Sequence, residues 1–108
     1  MVVGMPTEMD AADRLARPVG GRAVPLSLQQ LFAALSVADL LISPDTAVTH
    51  AAGAFQTPTL ILLRRGAEMW MPYHTPARAV VSHNPRRLAD LPAAPVIAAF
   101  DELLAELM

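Results

Sequence analysis

Two short, unbroken apolar runs constrain this chain more than any other feature. They are Leu40-Leu41-Ile42-Ser43 and Thr59-Leu60-Ile61-Leu62-Leu63. Each is too short for an amphipathic helix and lacks the alternation of a strand with one wet face. Each therefore predicts a strand buried on both sides. Between them Thr46 to Phe55 predicts a helix, with Asp45 as its cap. Continuous apolar strands between helices imply a parallel sheet covered on both faces.

The rest of the chain fits that frame. Met1-Val2-Val3, stopped by Gly4 and Pro6, predicts a buried strand. Glu8 to Ala16 predicts a helix with acidic residues early and Arg14 late, an order that complements the helix dipole. Pro18, Gly20 and Gly21 break it. Ala23-Val24 suggests one more short strand. Ser27-Leu28-Gln29-Gln30 has the spacing of a capping box, and Leu28, Leu31, Phe32 and Leu35 follow on one helical face. Ala79 to Ser82 predicts a strand. Val96 to Leu107 predicts a closing helix with Ile97, Phe100, Leu104 and Leu107 on one face. The ten prolines fall mostly at element ends.

Composition narrows the function classes. With 108 residues, 54% of them hydrophobic, the chain is one small domain rather than a disordered tail. A net charge of -2 supplies no global field for nucleic acid, so any anion site must be local. There is no cysteine, which excludes disulfides and thiolate metal sites. His50, His74 and His83 have no metal-ligand spacing, and no nucleotide-binding glycine motif is present. No apolar run approaches the roughly 20 residues of a bilayer span. The N-terminus lacks the pattern of a signal peptide and starts abruptly on a strand, as part of a larger protein would.

The chemistry concentrates at Ser43-Pro44-Asp45-Thr46-Ala47. In open parallel sheets, ligands bind beyond the carboxyl ends of the strands. The first amides of the next helix are unpaired and carry partial positive charge, which suits a phosphate. Thr46 adds a hydroxyl, Ala47 is small, and His50 lies one turn on from Thr46. Taken alone, Asp45 is as well explained as a structural cap, and His50 as a structural histidine.

The order Ala38-Asp39-Leu40-Leu41-Ile42-Ser43-Pro44-Asp45-Thr46-Ala47-x-x-His50-x-Ala52, followed by Thr57-Pro58 and an apolar strand, resembles glycosyltransferase family 9. That family includes the ADP-heptose:lipopolysaccharide heptosyltransferases. The Ser27-Leu28 helix start, Trp70-x-Pro72-Tyr73 and the terminal helix after Leu88 and Leu91 are similar too. The resemblance spans nearly the whole chain. It implies a Rossmann-like, three-layer α/β fold with a parallel sheet, the incomplete carboxyl-terminal domain of a two-domain GT-B transferase. Residues 1–108 would be a single, partial nucleotide-sugar-binding domain.

By the same resemblance Asp45, Thr46, Ala47 and His50 contact the donor's diphosphate and sugar. Glu8 contacts the ribose and Leu26 lines the adenine pocket. Glu8 is equally a dipole partner at a helix start, and Leu26 equally a core residue. Ala47 stands where the family keeps glycine. Arg64-Arg65 replaces a Gly-Pro-Thr turn, as candidate phosphate contacts or as solvated charges.

The implied activity is transfer of a sugar, heptose, from an ADP-sugar to a lipopolysaccharide core acceptor. The donor is a substrate, and neither cofactor nor metal is required. The acceptor and the catalytic base belong to an amino-terminal domain outside this chain, so 1–108 alone is expected to be inactive. The intact enzyme would be cytoplasmic, peripheral to the inner membrane. The alternatives are a non-catalytic nucleotide- or phosphate-binding module, and a structural half-domain that forms a homodimer through its truncated sheet edge. Nucleic acid is not an expected partner.

Overall fold

The structure, a computed structural model, describes residues 1–4, 6–44, 46–64, 75–82 and 91–108, with the side chains of Thr46 and Arg64 outside that description. It divides into two compact units, Met1–Ala33 and Ala34–Met108.

In the first unit, β1 (Val2–Gly4) pairs in parallel with β2 (Ala23–Pro25), in the register Val2 with Ala23 and Gly4 with Pro25. A 3₁₀ turn over Pro6–Glu8 leads from β1 into α1 (Met9–Ala16). Ala12 and Ala16 are its buried residues, and α1 contacts both strands. Small residues there let the helix lie close to the sheet. A second 3₁₀ turn, Arg17–Val19, runs to Gly20 at φ 72°, the left-handed conformation that glycine adopts without strain. The Gly21 amide donates to the Ala16 carbonyl at 2.9 Å and the Gly20 amide to Arg17 at 3.2 Å, closing the helix in a Schellman motif. β1 is not the buried strand expected: Val3 is exposed, because only one face of this ladder carries α1.

α2 (Leu28–Val37) starts on the capping box that its sequence predicts. The Ser27 amide donates to Gln30 Oε1 at 2.9 Å, and the Gln30 amide to Ser27 Oγ at 3.2 Å. Of the predicted apolar face only Leu35 is fully buried; Leu28 and Phe32 are exposed.

The second unit is built on β3 (Leu41–Ser43), β4 (Thr59–Arg64) and β5 (Ala77–Ser82), all parallel and in the order β3-β4-β5. The expected single sheet is thus two parallel ladders, one in each unit. Between β3 and β4 runs α3 (Thr46–Ala54); after β5 comes α4 (Ala93–Leu107). Alternation along β4 separates two faces. Leu60 joins Val80 of β5 and Leu103 of α4 in the core, with Leu62, Val96, Ala99 and Phe100 packed around them. Thr59, Ile61 and Leu63 point the other way and are buried as fully, so β4 is dry on both faces. Helix α3 contacts β3 and β4, while α4 contacts β4 and β5. The α/β, Rossmann-like class with parallel sheets is therefore what the chain adopts.

Two details depart from the sequence reading. Ile42 is 49% exposed, so β3 is not buried on both faces. It lies on β3, at one end of the described strand order, in register with Leu60. The buried stripe of α4 is Val96-Ala99-Phe100-Leu103, not Ile97-Phe100-Leu104-Leu107. Ile97 and Leu107 are exposed. This helix is apolar over most of its circumference, so periodicity alone leaves its rotation open.

Candidate functional site at the carboxyl ends of the strands

In the second unit the backbone turns at Ser43-Pro44 from β3 toward α3, which begins at Thr46. Ser43, the last residue of β3, is buried and paired in register with Ile61. β4 runs on to Arg64, which pairs with Ser82 at the end of β5. The end of β3 is thus set back from the carboxyl edge of its neighbours by about 10 Å, at ~3.3 Å per strand residue. Helix α3 starts from this set-back end.

Helix α3 has two distinct sides. Thr49 and Ala52 have no exposed surface, and they fix which side meets the sheet. Ala47 and His50 are exposed on the other side. His50 is therefore not a buried structural histidine. Thr46 begins α3, one turn before it. Asp45, the expected cap, lies outside the described residues, and so does Arg65.

The far end of α3 holds it in place. Gln56 has φ 56°; its amide donates to Gly53 at 3.1 Å, and the Thr57 amide donates to Ala52 at 2.9 Å. This is the same Schellman closure as at Gly20, made here with a non-glycine residue. The buried Thr57 hydroxyl donates to the Leu35 carbonyl of α2 at 2.5 Å, and the Thr59 hydroxyl to the Thr57 carbonyl at 2.8 Å. The Thr57 hydroxyl thereby ties the α3–β4 turn to the end of α2, and the Thr59 hydroxyl braces the turn itself.

In the first unit, Glu8 and Leu26 follow the carboxyl ends of two paired strands. Glu8 ends the 3₁₀ turn that follows Gly4, and Leu26 follows Pro25, the register partner of Gly4. Glu8 is exposed and Leu26 half-buried. Both therefore sit on one carboxyl edge of the β1–β2 ladder. Thr46, Ala47 and His50 belong to the other unit, at the carboxyl end of its β3. Sequence reasoning missed Gly4, taking it only as a strand breaker. A Cβ placed there would lie 3.4 Å from Glu8 Cβ and 3.6 Å from Glu8 Oε1.

The described ion pairs lie elsewhere. Arg78 of β5 reaches Glu106 at 2.7 Å and Glu102 at 3.6 Å on α4, and Arg17 pairs with Asp13. These pairs are solvent-accessible and contribute little. Among the described residues no group of three or more histidines and carboxylates is arranged to hold a metal ion. No helix among them is long and apolar enough to cross a membrane. Arg64 closes β4, while Trp70, Pro72, Tyr73, His74, His83 and Leu88 lie outside the described residues.

A sequence model of glycosyltransferase family 9 (heptosyltransferase) matches residues 9–91. Comparison with curated proteins and with solved structures gave no match.

Proposed function

This chain belongs to glycosyltransferase family 9, the heptosyltransferase family, and from that premise we propose that it is the donor-binding portion of an enzyme that moves heptose from an ADP-sugar to a lipopolysaccharide core acceptor. The observation that carries this reading is the start of α3 at the carboxyl end of β3, with Ala47 and His50 on its exposed side.

The chemistry follows from that placement. Cleavage of the bond between sugar and diphosphate leaves negative charge on the phosphate oxygens. Amides at a helix start carry partial positive charge and point toward such charge. They stabilise the leaving diphosphate more strongly as its charge grows, so they lower the barrier as well as bind. The Thr46 hydroxyl adds a donor, and His50 adds a second one turn away, stronger when protonated. Arg64 and Arg65 are further phosphate contacts in this reading. Asp45 orders the turn or meets sugar hydroxyls, since its carboxylate would repel a phosphate.

Glu8 accepts hydrogen bonds from the ribose hydroxyls, and Leu26 contacts the adenine. The acceptor and the general base come from outside residues 1–108, so the transferase inverts the anomeric centre only when intact. No cofactor or metal takes part. The enzyme works in the cytoplasm, at the inner membrane surface where its acceptor lies.

Isothermal titration of the chain with ADP and with ADP-heptose tests this. Binding of both, reduced about tenfold or more by Thr46→Ala and by His50→Ala, supports the donor site, since each variant removes a hydrogen bond to a charged group. Binding that survives both variants contradicts it. Binding of ADP and inorganic diphosphate with no gain from the sugar favours a nucleotide module without transferase function.

A further inference from the structure

We infer that Gly4 is a positioning residue for Glu8: the small size of the residue that ends β1 leaves room for the Glu8 carboxylate on the carboxyl edge of the β1–β2 ladder. This rests on the reading of Glu8 as the ribose contact. Three observations carry it. Gly4 is the last residue of β1, and the 3₁₀ turn Pro6–Glu8 folds the chain back over it. A Cβ on Gly4 would lie 3.4 Å from Glu8 Cβ, 3.6 Å from Glu8 Oε1 and 3.9 Å from Ala12 Cβ. Gly4 has no positive φ among the backbone values, so any demand on this position is one of side-chain size, not of conformation.

These distances set a size limit. One methyl group fits at ordinary van der Waals separation. The two nearest atoms both belong to Glu8, so a branched side chain at this position is expected to crowd Glu8 before Ala12. Ala12, the third neighbour, is buried on α1 and cannot yield. Glu8 is exposed and can. A branched side chain at Gly4 therefore turns the carboxylate away from the strand end while β1 and α1 stay packed. An apolar group beside the oxygen also removes part of its hydration. Either change weakens a bidentate grip on vicinal hydroxyls, which needs both carboxylate oxygens in one plane.

The test compares ADP with its dideoxyribose analogue, which lacks both hydroxyls that Glu8 would hold. Titrations use the full chain, with circular dichroism on every variant. Gly4→Ala keeps both affinities within about twofold, and Gly4→Val weakens ADP about tenfold while leaving the analogue unchanged. In a Glu8→Ala background, Gly4→Val changes neither. Gly4→Ser, smaller than valine and able to hydrogen-bond Glu8 Oε1, gives the same selective loss to a lesser degree and stands in for valine if that variant does not fold.

Equal losses for ADP and the analogue would mean that Gly4 serves only packing, and would overturn the inference. So would a Gly4→Val effect that persists without Glu8. Should Glu8→Ala weaken ADP while Gly4→Val and Gly4→Ser do not, Gly4 has no positioning role but the ribose contact stands. Failure of Glu8→Ala to weaken ADP, or of the chain to bind ADP at all, overturns the ribose reading and this inference together.

Discussion

Gln56 and Gly20 hold the same left-handed position at the ends of two helices, with φ of 56° and 72°. Only glycine does so without a steric cost from its Cβ. Gln56→Gly is therefore expected to stabilise the chain, and Gly20→Ala to destabilise it, each by about 1 kcal/mol in urea unfolding. Unchanged midpoints would mean that these backbone conformations are not held in solution. Thr57 makes a different argument. Its buried hydroxyl satisfies the Leu35 carbonyl. Thr57→Val keeps the shape and leaves that carbonyl without its donor, at a cost of about 1–3 kcal/mol, whereas Thr57→Ser keeps the donor and loses less. At this scale the sequence is readable where a residue pairs locally. Ser27 and Gln30 announce their reciprocal bonds by spacing alone, and the structure makes both. Thr57 gives no such sign, because its partner lies in another helix.

Among the elements, β4 was the most legible. An uninterrupted Thr-Leu-Ile-Leu-Leu run can only be dry on both sides, and four of its five residues are fully buried or nearly so. β3 looked the same in sequence yet exposes Ile42, since hydropathy does not say which strand stands at a sheet edge. The rotation of α4 was equally hidden. Ala93–Leu107 carries apolar residues around most of its surface, and the contact with Leu60 and Val80 selects Leu103 over Leu107. That choice is testable. Leu103→Ala should cost about 2–5 kcal/mol by opening a cavity in the core, and Ile97→Ala less than about 1 kcal/mol. Similar losses at the two positions, measured by thermal unfolding, would restore the stripe that periodicity suggests.

For the whole molecule, two parallel ladders present candidate residues at strand carboxyl ends: Glu8 and Leu26 after β1 and β2, Thr46, Ala47 and His50 after β3. The motif order located these positions, because a strand–turn–helix start is a local pattern. What it left open was which side of α3 faces outward. The buried Thr49 and Ala52 decide that by leaving Ala47 and His50 on the open side. Ala47 is the distinguishing residue of the proposed site. Its methyl group narrows the approach to the first helix amides, so Ala47→Gly is expected to strengthen ADP binding by severalfold, about 1 kcal/mol, in the same titration. Weaker binding would mean that the methyl group itself contacts the ligand. The central claim is that a nucleotide diphosphate is held at the start of α3, beyond the carboxyl end of β3. Nitrogen-edited NMR of the chain during ADP addition tests it most directly. The account predicts the largest amide shifts at Ala47, Val48, Thr49 and His50, with a second group around Glu8. Saturable shifts confined to other surfaces, or none at millimolar ADP, would contradict it.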